Sequence, residues 1–302
     1  MMKILNFGSC NIDTVYSLEN IVKPGETVAA TAVNLYPGGK GLNQSVAIAR
    51  SGAAVYHAGC IGADGDFLCN FMTKIGVDLT YLRRVEDSTG QAFIQVAESG
   101  ENSIVIYHGA NYQVKRDFVD SVLADFSEGD ILLLQNEISA AGYIIDRAYE
   151  RGMKIFLNPS PLDDAIRAID LNKIHCLIVN SIEAAGYTDG GAEGDTSGFI
   201  AEMRRRYPTL TAVVTLGSRG CVWFDAEREI FQPAFKVRAV DTTGAGDTFT
   251  GYFLSSVSRG ESIEDSLKIA SAASALAVSV EGAASSIPEM SAVKDFVNNF
   301  AG

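Results

Sequence analysis

One pattern restricts this chain more than any other. Short runs that are apolar on both faces, at 3–7, 55–61, 131–134, 154–157, 176–179 and 212–215, alternate with longer segments of helical period. The helical segments lie at 42–50, 67–75, 118–126, 140–151 and 197–207. A doubly apolar run suits a strand covered on both faces, and the amphipathic segments between supply the cover. The pattern therefore predicts an α/β fold with a central, mostly parallel sheet flanked by helices. Segments at 249–257, 263–280 and 293–300 make the last third helical. The length of 302 residues is ample for a large core, and the chain reads as a single unit over 1–302.

Two stretches break the alternation. Residues 27–36 carry Val28, Thr31, Val33, Leu35 and Tyr36, which favour strand, and 91–97 with 103–107 read as a strand pair around the turn at 98–102. One reading is a small β-sheet lid, drawn from about 14–36 and 88–109, that covers a site. The other is an extra β-layer without a role.

Composition excludes several classes. A net charge of −13 argues against a nucleic-acid or anionic-membrane surface, because both need clustered Lys and Arg. No apolar run is long enough to span a bilayer, and the start lacks the apolar core of a signal peptide. Five scattered cysteines, with no C-x-x-C pair, read as free thiols in a reducing cytoplasm. His57, His108 and His175 are far apart and match no zinc spacing.

The chemistry concentrates in two glycine loops. Ala239-Val-Asp-Thr-Thr-Gly-Ala-Gly-Asp247 brings a strand-like approach to a small-residue loop, Gly244, Ala245 and Gly246, from which a helix starts. Backbone N–H groups in such a loop close on an anion with no Cβ in the way, and the helix adds its positive dipole end. A carboxylate beside an anion nest needs a task, and Asp247 is suited to take a proton from a hydroxyl that attacks a phosphoryl group. The competing reading is an Asp N-cap with glycines for a turn.

The second loop, Pro37-Gly-Gly-Lys-Gly-Leu-Asn43, precedes a helix, yet is neither a Walker A loop nor G-x-G-x-x-G. Phe7-Gly-Ser-Cys-Asn-Ile-Asp13 ends the first strand, and carboxyl-end loops of parallel strands are where open α/β sheets bind ligands. Asn11, Asp13 and Asn43 make a polyol clamp. Three further strand ends carry Gln135-Asn-Glu137, Asn180-Ser-Ile-Glu183 and Thr215-Leu-Gly-Ser-Arg-Gly220.

With both glycine loops in view, the chain resembles the ribokinase family of ATP-dependent sugar kinases, from about Lys3 to Pro288. Gly100-Glu-Asn-Ser-Ile104, Gly109-Ala-Asn111, Leu134-Gln-Asn-Glu137 and Asn158-Pro159 resemble the ribose-specific branch more than the fructose or adenosine branches. The resemblance implies a ribokinase-like fold in which Asn11, Asp13, Gly39, Lys40, Asn43 and Glu137 hold the sugar. It implies that Asn180, Thr215, Gly217, Ser218 and Gly220 line ATP, with Ser271 near the base and Glu183 near its Mg²⁺. Gly244, Ala245 and Gly246 would form the anion hole and Asp247 the base.

A K⁺ ion beside Asp241 would take oxygen ligands from Thr243, Ala277, Val280, Gly282 and Ser286, and the lid would pair two subunits into a homodimer. Ser271 stands where ribokinases often carry Asn, and Val280 and Glu281 occupy places that are often basic. The expected activity is phosphorylation of the primary hydroxyl of ribose. The alternatives are another small sugar or nucleoside as acceptor, or a sensor that catalyses nothing. An NAD-dependent dehydrogenase fails for want of G-x-G-x-x-G after the first strand.

Overall fold

The computed structural model describes residues 2–188 and 195–300. In chain order the strands are β1 (Ile4–Phe7), β2 (Asn11–Leu18), β3 (Ala32–Gly38), β4 (Tyr56–Ile61), β5 (Asp78–Arg84), β6 (Gly90–Ala97) and β7 (Asn102–Tyr107). They continue with β8 (Ile131–Gln135), β9 (Lys154–Asn158), β10 (Cys176–Asn180), β11 (Thr211–Thr215), β12 (Gly220–Phe224) and β13 (Glu229–Pro233). The helices are α1 (Lys40–Arg50), α2 (Asp66–Ile75), α3 (Arg116–Leu123), α4 (Ala141–Glu150) and α5 (Asp164–Arg167). After them come α6 (Ser181–Gly186), α7 (Thr196–Arg206), α8 (Ala245–Ser258), α9 (Ile263–Ala277) and α10 (Met290–Phe300).

The main sheet has the order β13-β12-β11-β10-β9-β8-β1-β4-β5, parallel from β5 to β11, with an antiparallel hairpin at the far edge. This is the expected α/β fold. One face packs against α3, α4 and α7 through Phe118, Ile144 and Phe199, and the other against α1, α2, α8 and α9 through Leu42, Leu68, Phe253 and Leu267. Among the described residues no helix is long and apolar enough to cross a membrane.

Three strands were not legible as apolar runs. The strands β5 and β13 lie at the sheet edges, where burial alternates or fails and a doubly apolar run is not needed. The strand β12 starts at Gly220, which sequence reading assigns to a turn.

A second sheet, β3-β2-β6-β7, hangs from the carboxyl end of the central strand β1. Asn11 and Asp13 therefore correct the expectation of a loop: both lie on β2, two residues apart and so on one face. The stretch Asn-Ile-Asp-Thr-Val-Tyr-Ser-Leu has the period of a strand, masked by its polar members. The strand expected at 27–36 is β3, displaced to Ala32–Gly38, and Thr31 only begins its pairing with a bond to Ser17 O. The strands β6 and β7 lie within one residue of the expected pair.

Two close approaches set the position of α1. At its first turn Gly41 rests on the backbone of Gly8 and Ser9, where a Cβ has no room. Its middle meets α8 at Gly251, where a Cβ would fall 2.9 Å from Gln44 O and 3.0 Å from Ile48 N. Gly251→Ala should accordingly lower stability by about 1–3 kcal/mol through overpacking, although Ala is favoured over Gly in a helix by ~1 kcal/mol. The measurement is urea unfolding, with a lower midpoint at constant m-value as the expected result. A raised midpoint would count against this contact.

Candidate active site

Asp247 occupies the first turn of α8, whose N-cap is Gly244 at φ 74°, so Asp247 is not itself the cap. A positive φ at that position favours glycine. The Ala245 amide donates to Thr242 O at 3.3 Å, while the first-turn N–H groups of Gly246 and Asp247 have no partner further back in the helix, which leaves a donor-rich end. The Asp247 side chain is 6% exposed. Gln44 Nε2 donates to Oδ1 at 2.8 Å, and Asn43 Nδ2 donates to Oδ2 at 3.0 Å. Asn43 Oδ1 is buried without a partner among the described residues, an acceptor aimed at no protein donor.

Around this carboxylate the other expected residues gather. Glu137 Oε2 accepts from Ser9 Oγ at 2.5 Å and from the amide of Lys40 at 2.9 Å. Asn11 Oδ1 accepts from Asn111 Nδ2 at 2.7 Å, and Gly38 and Gly90 give Asp13 and Asn11 the space a Cβ would take. Gly39, at φ 91°, caps α1.

A cleft of about 230 Å³ is lined by Lys40, Asn180, Glu183, Thr215, Gly244, Gly246 and Asp247. It shares Thr215, Thr242 and Gly246 with a larger pocket of about 430 Å³, which also takes in Gly217, Ser218, Gly220, Ala245 and Ser271. Phe235, Val237 and Phe249 complete that pocket's apolar wall; the first two lie between β13 and α8, outside regular structure, which hid them from sequence reading. Glu183 forms a capping box with Asn180, its Oε2 accepting the Asn180 amide at 3.0 Å.

The remaining expected residues sit beyond the α8 N-terminus. Asp241 and the segment from Ala277 to Ser286 are joined: the amides of Val240 and Asp241 donate to Val278 O, and Gly282 N donates to Asp241 Oδ2 at 3.0 Å. Asp241 Oδ1 accepts from Thr243 N at 2.9 Å. Burial works to raise the Asp241 pKa, but the Thr243 and Gly282 bonds prevail and hold it below the ordinary value. Ser286 Oγ donates to Ala283 O at 2.9 Å, so its proton turns back on its own loop, and Val280 is 55% exposed.

Two polar residues of the strands escaped notice as site members, Asn6 in β1 and Asn158 in β9, whereas Gln135 belongs to a strand end already singled out. Asn6 lies between Leu5 and Phe7, and Asn158 between Leu157 and Pro159, so an amide among apolar residues was the available signal. Cys10 Sγ lies 3.3 Å from His57 Nε2, but burial lowers the imidazole to about 4 and raises the thiol, so the pair stays neutral. No group of three or more His, Cys, Asp or Glu suited to a metal ion occurs among the described residues.

Residues 1–290 match the family described as pfkB family carbohydrate kinase. The chain belongs to the pfkB family of carbohydrate kinases. The chain is 34% identical to the ribokinase of Haemophilus influenzae over 304 residues, 97% of each chain. It is 30% identical to the deoxyribokinase of Salmonella typhi over 308 residues, 98% of this chain and 99% of the relative. Its fold matches that of Arabidopsis thaliana ribokinase complexed with ribose and ATP, with a TM-score of 0.86, 30% identity, and coverage of 98% and 99%. The family likeness read from the two glycine loops holds.

Charge in this kinase site is crowded. Burial, then Glu137, then Asp247 push Asp13 up to about 7. Asp247 above all, with Glu137 and Glu183, holds the Lys40 ammonium above its ordinary value against the opposing effect of burial. Burial raises Glu137 despite Lys40. Because Asp13 titrates near 3.8 when unfolded and near 7 when folded, its neutral form is the one the native state favours. Its contribution to stability is full below pH ~4 and is lost as pH rises through ~7. Asp13→Asn should therefore melt above the parent protein at pH 8, with the two curves converging near pH 4. A melting difference that does not change with pH would contradict the raised pKa.

Proposed function

We propose that this kinase transfers the γ-phosphoryl group of MgATP to the primary hydroxyl of ribose, giving ribose 5-phosphate. The observation that carries the reading is Asp247, a buried carboxylate held by the amides of Asn43 and Gln44 at the start of a helix, in a cleft that opens into a pocket of about 430 Å³. The relatives named ribokinase support ribose as the acceptor. The deoxyribokinase likeness makes 2-deoxyribose the second candidate.

In this reading ATP lies in the larger pocket with its phosphates toward the cleft. Asn11, Asp13, Asn43 and Glu137 hold the sugar hydroxyls, the unpartnered Asn43 Oδ1 accepting one of them. The attacking hydroxyl then meets the γ-phosphorus in line, which replaces a bimolecular encounter by a positioned one. Asp247 takes the proton as the new bond forms. The α8 amides and the Lys40 ammonium stabilise the charge that spreads over the transferring oxygens. Magnesium enters as part of the nucleotide substrate. One oxygen of Glu183 is engaged by the helix cap, and its carboxylate lines the cleft where a hydrated magnesium ion would lie.

A potassium ion belongs to the same proposal. The carboxylate of Asp241 accepts one amide bond on each oxygen, and a carboxylate oxygen has a further lone pair for a cation. The 277–286 segment lies beside it, Gly282 N donating to Asp241 Oδ2. The small sheet would act as the lid and as the contact between two subunits. Val33, Leu35, Ile104, Val105, Ile106 and Tyr107 are each about half exposed or more on its two edge strands, an apolar area a second copy would cover.

Asp247→Asn should keep the fold and sugar binding while kcat falls by roughly 10²–10⁴-fold, the usual worth of a general base. Turnover near that of the parent would remove the assignment. A coupled assay across ribose, 2-deoxyribose, fructose, adenosine and uridine should give ribose the highest kcat/KM, and a higher value for any other acceptor would displace it. Activity should rise in K⁺ over Na⁺ at constant ionic strength and lose that difference in Asp241→Ala. Equal rates in K⁺ and tetramethylammonium would exclude the ion. Light scattering should give a particle near twice 32.2 kDa, and a monomer at micromolar concentration would refute the dimer.

A further inference from the structure

Below Asp247 lies a file of four side-chain amides, three of them fully buried and the fourth, Asn158, at the cleft. Asn6, Gln44 and Gln135 are 0% exposed and come from β1, α1 and β8; Asn158 ends β9. A backbone carbonyl only accepts, and this fixes the direction of the whole file. At one end Asn6 Nδ2 must face Gly41 O, 2.7 Å away, and it also donates to Ser45 Oγ at 2.8 Å. Asn6 Oδ1 is thereby turned toward Gln135, whose Nε2 donates to it at 2.9 Å. The other hydrogen of Gln135 Nε2 goes to Gln44 Oε1 at 2.6 Å.

At the other end Asn158 Nδ2 must face Ile178 O at 3.0 Å, so its oxygen is turned toward Gln44. Both ends independently leave Gln44 one orientation, with its oxygen toward Gln135 and its nitrogen toward Asn158 Oδ1 at 3.0 Å and Asp247 Oδ1 at 2.8 Å. The two hydrogens of that nitrogen are both spent. A flipped Gln44 would face two oxygens with a third, an unfavourable arrangement for a side chain that is itself wholly buried.

We infer that Gln44 is a positioning residue for Asp247, its amide locked by a relay of side-chain amides that runs between two backbone carbonyls. The inference rests on Asp247 being the base. Gln44 touches no substrate in this arrangement. It holds one carboxylate oxygen while Asn43 holds the other, so that the carboxylate cannot turn about its last bond and its free lone pairs keep one direction. The sugar is held by other side chains, so the loss of this hold falls on the chemical step rather than on binding.

The test is a double-mutant cycle on the full chain, with ribose and MgATP as substrates. Gln44→Met keeps side-chain length and removes both donors. It should lower kcat by about 10- to 100-fold, the cost of a misplaced reacting group, with KM for ribose and ATP within about twofold. Added to Asp247→Asn, the same change should alter kcat by less than about twofold, because the group it positions is already gone. A Gln44→Met loss of equal size in both backgrounds, or one carried by KM, overturns the inference.

Should Gln44→Met fail to fold by circular dichroism, Gln135→Met releases the Gln44 amide without removing it and should lower kcat by about 3- to 10-fold with the same KM split. A folded Gln135→Met with unchanged kcat overturns the relay. Near-normal turnover in Asp247→Asn overturns the base and this inference together; a slow Asp247→Asn with additive losses overturns this inference alone.

Discussion

The placing of the buried Asp247 carboxylate depends on how closely α1 approaches β1 and α8. Gly41 lies on the Gly8 backbone, and Gly251 lies on the middle of α1 with no room for a side chain at either contact. These contacts bring Asn43 and Gln44 to Asp247, across 204 and 203 residues of sequence. These amides donate hydrogen bonds to the carboxylate without adding charge, while the Lys40 ammonium acts on it electrostatically.

The same contact organises charge over a wider area. Lys40 opens α1 and so lies in the cleft with Asp247 and Glu183, while its backbone amide binds Glu137. One ammonium among several carboxylates has its charge firmly held, and the surplus negative charge falls on Asp13, which is pushed up to about 7 by burial first and its acidic neighbours second. A site this acidic repels bare phosphates. The donor-rich end of α8, and the cations that accompany a nucleotide, offset that repulsion locally although the chain as a whole is strongly acidic.

The small sheet shows a different economy of surface. Its two outer strands expose apolar side chains, while Ile12, Ala92 and Ala97 on its inner strands are buried. It grows from the carboxyl end of β1 and returns to start α1, so Asn11 and Asp13 on β2 and the glycine loop before α1 belong to one continuous excursion. Wall and floor of the site are therefore close in the chain, while Asp247 arrives from about 200 residues further on.

What the sequence determined by itself was the class of fold and the two loops. Strands covered on both faces must be apolar throughout, and a loop that admits a backbone against an anion must be glycine, so burial and steric demand are written locally at 131–134 or 244–246. Edge strands such as β13 escaped because solvent on one side removes that demand. Only the tertiary structure decided the orientation of the site's polar groups. Asn6, Gln44, Gln135 and Asn158 are unremarkable one at a time, and their single arrangement follows from which carbonyls face them across three strands and a helix. Asp241 likewise shows nothing in the sequence of the Gly282 amide that the fold brings to it. The direction of a hydrogen bond belongs to a pair of groups, and a linear sequence names the groups without saying which of them meet.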